Sequence, residues 1–223
     1  MKKYCVFIAL FCITNSVYSQ GDLDNALYIR LGYSRPSQKY GGVDDPNEWD
    51  VVKRNGISGE VGHIFILNSI PLADNLRLGI NVDWLSGYYH SLVSDLSKER
   101  FFSLGSKVGP SLSYKPLDNL FLDAYFKVNP VWISALIESQ EVVGVGEDHN
   151  FYLGAVGLGY SFGINVRYSL LIFGFDFNTS WNKLQHYDEN SDEFDGTYFG
   201  NWSDTEKKRT PIPSYNFTIG VVF

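Results

Sequence analysis

Cysteine is nearly absent from this sequence, and the mature chain is expected to have none. Cys5 and Cys12 are the two cysteines, and both lie in residues 1–19. In that segment Lys2 and Lys3 precede a short apolar run, and Val17 and Ser19 form a cleavage site of the V-x-S kind, as in secretory signal peptides. We therefore expect cleavage before Gln20. Residues 20–223 would then form one domain that reaches an oxidising compartment without a disulfide.

The chain also lacks an excess of positive charge and a long apolar run. It has 18 basic and 25 acidic residues, for a formal net charge of -7. A nucleic-acid-binding domain would show a basic face, so this balance argues against such a partner. After Gln20 no apolar run is long enough for a membrane-spanning helix. The mature protein is therefore either soluble or a barrel that crosses a membrane with strands.

Aromatic residues and strict alternation are what the sequence has in abundance. Phe, Trp and Tyr make up 16% of the chain. Apolar and polar residues alternate with the period of two that is typical of β-strands. Eight segments show the pattern: residues 25–34, 57–67, 76–84, 102–115, 119–129, 156–163, 171–178 and 214–223.

The connections between these segments alternate in length. Short turns are predicted at 68–75, 115–119 and 164–169. Long loops are predicted at 35–55, 87–100, 130–150 and 182–213. Barrels of the outer membrane have this rhythm, with short periplasmic turns and long extracellular loops.

The polar face of the predicted strands is rich in glycine and carries charges of both signs. Small side chains and balanced charges fit the narrow interior of an eight-stranded barrel, where an unpaired buried charge is costly. The alternative is a scattered solvent face on a soluble barrel. We predict a charge network inside the barrel, formed by Arg30, Glu60, Arg77, Asp83, Lys107, Asp123, Lys127 and Asp176.

Aromatic residues near the proposed strand ends suit the girdles that mark the two membrane interfaces. They are Tyr33, Trp84, Tyr114, Trp132, Tyr160, Trp181 and Tyr215.

The last strand resembles the carboxy-terminal signature of bacterial outer-membrane proteins. Its apolar or aromatic residues are Tyr215, Phe217, Ile219, Val221 and Phe223. With the signal peptide, strand count and loop rhythm, the chain resembles the small eight-stranded outer-membrane barrels of the OmpA/OmpX type. The resemblance implies an all-β, antiparallel, up-and-down transmembrane barrel in the cell outer membrane of a Gram-negative bacterium. It also implies that the barrel-assembly machinery reads the terminal strand. No peptidoglycan-binding domain follows Phe223, so we expect no cell-wall tether.

The candidates for chemistry are few. The histidines are His63, His90, His149 and His186, and "HSLVSD" places Ser91, Ser94 and Asp95 beside His90 in a predicted outer loop. A hydroxyl nucleophile needs a base within hydrogen-bond reach that is oriented by a third group, and sequence neighbours rarely meet this geometry. The acidic run of residues 188–195 lacks the glycine and the final glutamate of a calcium loop, so a solvated acidic loop is the main interpretation and weak divalent-ion binding stays open.

These observations predict a barrel with a structural or surface-binding role through its long extracellular loops, and no open pore. We expect no catalytic residues, no metal and no cofactor. The expected partners are outer-membrane lipid and lipopolysaccharide, the barrel-assembly machinery and an unknown protein at the outer loops. A lipid A-modifying outer-membrane enzyme is the alternative, with His90 or His186 near the outer leaflet.

Overall fold

A computed structural model describes residues 25–37, 53–93, 97–130, 132–142, 146–154, 157–187, 208–211 and 213–223. The predicted signal peptide and the acidic run of residues 188–195 lie outside these ranges. Within them, no helix has the length and apolarity needed to cross a membrane. The described residues form eleven strands: β1 Ala26–Pro36, β2 Lys53–Ala73, β3 Leu76–Val93, β4 Ser97–Leu117, β5 Leu120–Asn129, β6 Trp132–Val142, β7 Gly146–Gly154, β8 Gly157–Tyr168, β9 Leu171–Tyr187, β10 Lys208–Pro211 and β11 Ser214–Val222.

Eight of these strands close into a ring of antiparallel neighbours in the order β1, β2, β3, β4, β5, β8, β9 and β11. The terminal strand β11 lies between β9 and β1 and closes the ring, with Tyr28 opposite Val222 and Pro36 opposite Ser214. Closure leaves neither the first nor the last strand with an open edge. The predicted fold class, an all-β eight-stranded antiparallel up-and-down barrel, is confirmed.

The outward face of the barrel is apolar and the inward face is polar. On β1, Leu31 exposes 67% of its surface, whereas its neighbour Arg30 exposes none. A soluble barrel has the opposite arrangement, with apolar side chains inside and polar ones in water. Apolar side chains that point outward in a continuous belt are the arrangement of a transmembrane barrel. The alternative of a soluble barrel is therefore wrong.

Two predicted loops are strands in the structure. Residues 87–100 were expected to form a loop, but β3 continues to Val93 and β4 begins at Ser97. Residues 130–150 were also expected to form a loop, but they belong mostly to the hairpin of β6 and β7. On β6 the inward residue Leu136 is apolar and fully buried, so apolar and polar residues do not alternate there.

The β6–β7 hairpin extends the barrel wall at one end. β6 pairs with the part of β4 that lies beyond the end of β5, from Gly105 opposite Trp132 to Ser97 opposite Gln140. β7 continues the wall to β9, with Phe151 opposite Tyr187. We call this the loop end of the barrel.

The opposite end, which we call the turn end, holds the three tight turns and Phe223. The turns join Ala73 to Leu76, Leu117 to Leu120 and Tyr168 to Leu171. In the last of these, Ser169 has a positive φ of 54°. Positive φ is required in the two-residue turns that match the twist of a hairpin.

Candidate functional site

The barrel interior, or lumen, is the best-defined site in the described chain, and Arg30 lies at its centre. Its Nε donates a hydrogen bond to Glu60 Oε2 at 2.5 Å, and its Nη1 donates to Asn165 Oδ1 at 2.6 Å. Its Nη2 lies 3.3 Å from the Tyr125 hydroxyl and 3.5 Å from Asp176. Arg30 and these four partners lie on five different strands, β1, β2, β5, β8 and β9. This one side chain therefore joins distant parts of the barrel wall.

Two lysines complete the centre. Lys107 Nζ donates to Glu60 Oε1 at 2.8 Å and to Asn178 Oδ1 at 2.9 Å. Lys127 Nζ donates to Asp83 Oδ2 at 2.7 Å and lies 4.2 Å from the centre of the Tyr125 ring. Three cations thus meet three carboxylates in what we call the central charge cluster: Arg30, Glu60, Asp83, Lys107, Lys127 and Asp176. Ion pairing and hydrogen bonding make such burial tolerable, because each ion alone would lose its hydration.

The remaining two predicted network residues lie apart from this cluster. Asp123 accepts hydrogen bonds from Arg167 Nε at 2.7 Å, from Arg167 Nη2 at 2.8 Å and from Ser113 Oγ at 2.6 Å. Arg77 instead remains at the turn end, where its Nη1 donates to the carbonyls of Ala73 and Leu76. Arg167 takes the role that Arg77 was expected to have, so the buried charges named here still balance. The sequence reasoning missed Arg167 because it placed residues 164–169 in a link, although Asn165 and Arg167 alternate with Ile164 and Val166.

Both ends of the lumen are filled by apolar or aromatic side chains. At the turn end the buried cluster consists of Ala26, Tyr28, Ile64, Ile66, Ile172 and Val222. Towards the loop end, Tyr88 lies 4.8 Å from His90 and 6.0 Å from Phe101, measured between ring centres. The charge cluster is therefore enclosed from both sides, as expected for a barrel whose interior has room only for side chains.

A serine and a histidine meet near the loop end, inside the barrel. Ser34 Oγ lies 2.5 Å from His90 Nε2 and also donates to Asn216 Oδ1 at 2.5 Å. Ser34, His90 and Asn216 are on β1, β3 and β11, so this contact depends on strand register and no sequence motif indicates it. Ser91 points to the other side of β3, while Ser94 and Asp95 lie outside the described residues. His90 itself is fully buried in a strand, so the prediction that it lies in an outer loop is wrong.

The other predicted features lie on the outer surface or outside the described side chains. Residues Tyr215, Phe217, Ile219 and Val221 of the terminal strand point outward, between 40% and 56% exposed. His63 also faces outward and stacks on Phe65 at 4.1 Å between ring centres. The side chains of His149 and His186 lie outside the described part of the structure.

Of the expected girdle aromatics, Tyr33, Tyr114 and Tyr215 are exposed on the outer surface. Trp84 is also exposed, but it lies in mid-strand because β3 continues to Val93. The side chains of Trp132 and Trp181 are outside the described ones.

Comparison with known proteins gives similarity of fold only. No protein-family model matches the chain, and no curated protein sequence matches it. Similar solved structures include the attachment invasion locus protein Ail of Yersinia pestis, with 10% identity, a TM-score of 0.46 and coverage of 90% of this chain and 100% of that one. The outer-membrane protease OmpT of Escherichia coli has 13% identity, a TM-score of 0.47 and coverage of 90% and 95%. Neisserial surface protein A has 10% identity, a TM-score of 0.39 and coverage of 89% and 95%.

The architecture is that of the small eight-stranded outer-membrane barrels. The strand pairing and the inverted burial of this chain establish it independently of these similarities. The resemblance predicted from the sequence is confirmed at this level.

Proposed function

We propose that this protein is an outer-membrane barrel that serves as a rigid, closed support and binds partners at its extracellular end. The central charge cluster is the observation that carries the proposal. It fills the middle of the lumen with ion pairs from six residues on six strands. A largely apolar cluster lies beyond it at the turn end, and the rings of Tyr88, His90 and Phe101 lie towards the loop end. A filled lumen has no free path for solutes, which leaves the outer surfaces as the places for interaction.

The long segments at the loop end supply the candidate binding surface. Residues 38–52 join β1 to β2, and residues 188–207 join β9 to β10; both lie outside the described residues. Their sequences combine Tyr and Trp with charged residues, including "DENSDEFDGTYFGNW". Loops held by a rigid scaffold commonly carry function, and aromatic side chains are frequent anchors of protein interfaces.

Crosslinking on intact cells tests the proposal. A partner crosslinked to the wild-type protein should be lost when residues 188–207 are replaced by a short Gly/Ser linker. A replacement of residues 183–210 would also remove parts of β9 and β10, so the narrower segment gives a cleaner experiment. The same linker in place of residues 41–50 tests the other long segment separately. Retention of every crosslinked partner in both variants would contradict a role for the loops.

A second candidate is supported by the contact between Ser34 and His90. Nucleophilic catalysis by serine requires a base within about 2.6–3.2 Å of the hydroxyl. The contact of 2.5 Å places a base within reach of the Ser34 hydroxyl, as a lipid A-modifying enzyme that uses Ser34 rather than Ser91 would require. The proton arrangement opposes it, because a hydroxyl that donates to Asn216 must accept from His90. Both side chains are also fully buried, away from the lipid surface.

Mass spectrometry of lipid A separates the two candidates. A surface-binding barrel leaves the lipid A spectrum of an expressing strain unchanged. The enzyme changes it, and a Ser34→Ala or His90→Gln variant that still inserts would abolish that change. A mass shift that depends on either residue would support the lipid A-modifying enzyme and contradict the surface-binding role. The lipid A spectrum of a strain that expresses the His186→Ala variant tests whether His186 is the catalytic histidine of such an enzyme.

A further inference from the structure

A groove interrupts the apolar outer surface towards the loop end. Gly59 on β2 lies opposite Gly87 on β3, and both face outward, where neither has a side chain to cover the strands. The resulting cavity has a volume of about 370 Å³. Its outward walls are apolar and include Leu31, Ile57, Leu85 and Phe102. The groove is continuous with the belt that contacts lipid, so an acyl chain is the molecule that reaches it.

The outer surface changes from apolar to cationic just beyond the groove. Two residues past Tyr33 on β1 comes Arg35, and two residues before Phe102 on β4 comes Arg100. Both arginines point outward and are exposed. Neither makes a hydrogen bond or an ion pair to another described residue. They stand on the two strands that flank the groove, and we call them the arginine pair.

No acid among the described outward-facing residues balances the arginine pair. Among the described outward-facing residues of the loop-end halves of β1 to β4, none is Asp or Glu, and Glu99 is buried on the inward side. Between the arginines, Asn55 and Ser91 supply uncharged polar groups. Three strand spacings separate β1 from β4, which corresponds to about 14 Å.

We propose that this surface binds one outer-leaflet lipid whose headgroup carries two phosphates. An acyl chain lies in the groove over Gly59 and Gly87, and each arginine binds one phosphate. Guanidinium groups form paired hydrogen bonds with phosphate oxygens, which suits arginine better than lysine for this role. The proposal rests on the proposed outer-membrane location and gives the barrel a lipid partner at a defined place.

Native mass spectrometry of the full-length mature protein, released from detergent after incubation with defined lipids, tests the proposal. Diphosphoryl lipid A should remain bound as one copy, phosphatidylglycerol should be retained more weakly, and phosphatidylcholine should be lost. Arg35→Gln combined with Arg100→Gln should lower the affinity for lipid A by about tenfold or more, since basic side chains near an anionic lipid contribute one by one. Gly59→Leu and Gly87→Leu should lower it by filling the groove.

Matched controls separate the site from general effects on the barrel. Ala124→Leu adds a similar bulk, three carbon atoms rather than four, to an outward position on β5, and Lys115→Gln removes a charge at the turn end of β4. Both should retain lipid A like the wild type, and circular dichroism confirms that each variant is folded. Equal retention of lipid A by the arginine and control variants would overturn the proposal. Equal retention of phosphatidylglycerol and lipid A would overturn the two-phosphate assignment.

The outcome is independent of the loop-mediated function. Replacing residues 188–207 should abolish protein crosslinks but leave lipid A retention intact, because the groove and the arginine pair lie on β1 to β4. If the lipid is lost from the arginine variants while the crosslinks fail to appear in any form, the lipid site stands and the protein-binding role does not. If the crosslinks depend on the loop but the arginine variants retain lipid A like the wild type, the protein-binding role stands and the lipid site does not.

Discussion

Arg30 Nε lies 2.5 Å from Glu60 Oε2 in the interior of the barrel, and both side chains are buried. Glu60 also accepts hydrogen bonds from Lys107 at 2.8 Å and from Ser86 at 3.2 Å. One carboxylate therefore neutralises parts of two cations and joins β2 to β1, β3 and β4. This arrangement makes Glu60 the residue whose loss the cluster should tolerate least.

We expect Glu60→Gln to destabilise the barrel strongly. The substitution keeps the shape of the side chain but leaves Arg30 and Lys107 with too little negative charge. Removing one partner of a buried ion pair costs about 3–5 kcal/mol. Urea unfolding in detergent micelles, followed by the shift in gel mobility between folded and unfolded barrel, measures the difference. Arg100→Gln removes a charge from the outer surface instead and should change stability by about 0.5 kcal/mol or less.

A second prediction compares two glycines on opposite faces of the wall. A Cβ at Gly174, on the inward face of β9, would overlap the guanidinium of Arg30 and the hydroxyl of Thr218. At Gly59, on the outward face, it would meet Leu31 Cδ2, the end of a flexible side chain, at 3.0 Å and the Arg30 carbonyl oxygen at 4.0 Å. We expect Gly174→Ala to cost about 1–3 kcal/mol through overpacking. Gly59→Ala should be close to neutral in the same unfolding assay, and equal losses would show that the lumen is less tightly filled than described.

Ion conduction gives a third prediction. The wild-type protein should show no large, steady conductance in planar bilayers, because the central charge cluster and the apolar clusters fill the lumen. Combined Tyr28→Ala and Arg30→Ala substitutions remove a turn-end side chain and the centre of the cluster. If the double variant folds, it should show small, fluctuating currents that the wild type lacks. A stable porin-sized conductance of the wild type is the result that would refute a closed lumen.

Alternation was enough to predict the ring and most of the buried charges, because inward and outward positions differ in polarity at every second residue. Arg30, Glu60 and Lys107 all follow this rule. It failed on β6, where the inward residue Leu136 is as apolar as its outward neighbours. It also ended β3 too early, because inward Tyr88 and Leu92 are not charged.

Contacts between distant strands could not be predicted from one sequence. Ser34 and His90 are 56 residues apart and meet only because Gly56 separates them on β2. Strand register decides this contact, and register depends on turn geometry and bulges, such as the shifts beside Val61 and Asp83. The partner of Asp123 was missed for a related reason, since it required β8 to extend as far as Arg167.

Assembly gives a fourth prediction, which concerns Phe223. Its N–H donates to the carbonyl of Leu27 at 2.8 Å, and the Leu27 N–H donates back at 3.3 Å, so the last residue takes part in the seam between β11 and β1. Deleting Phe223 should reduce insertion into the outer membrane more than it reduces synthesis. Phe223→Ala keeps the backbone hydrogen bonds but removes the ring. If the assembly machinery reads the ring, both variants should fail alike; if only the seam matters, Phe223→Ala should insert normally.

The orientation of the barrel gives the last prediction. The mature chain is expected to contain no cysteine, so a single engineered cysteine can be labelled without background. We expect Asp192→Cys, in the long segment after β9, to react with a membrane-impermeant maleimide on intact cells. Asp118→Cys, in the tight turn between β4 and β5, should react only after the outer membrane is opened, because the tight turns of such barrels face the periplasm. Both variants should react fully when the protein is unfolded in denaturant, which confirms that each thiol is available. Labelling of Asp118→Cys alone on intact cells would require the opposite orientation, with both termini outside, and would move the arginine pair to the inner leaflet.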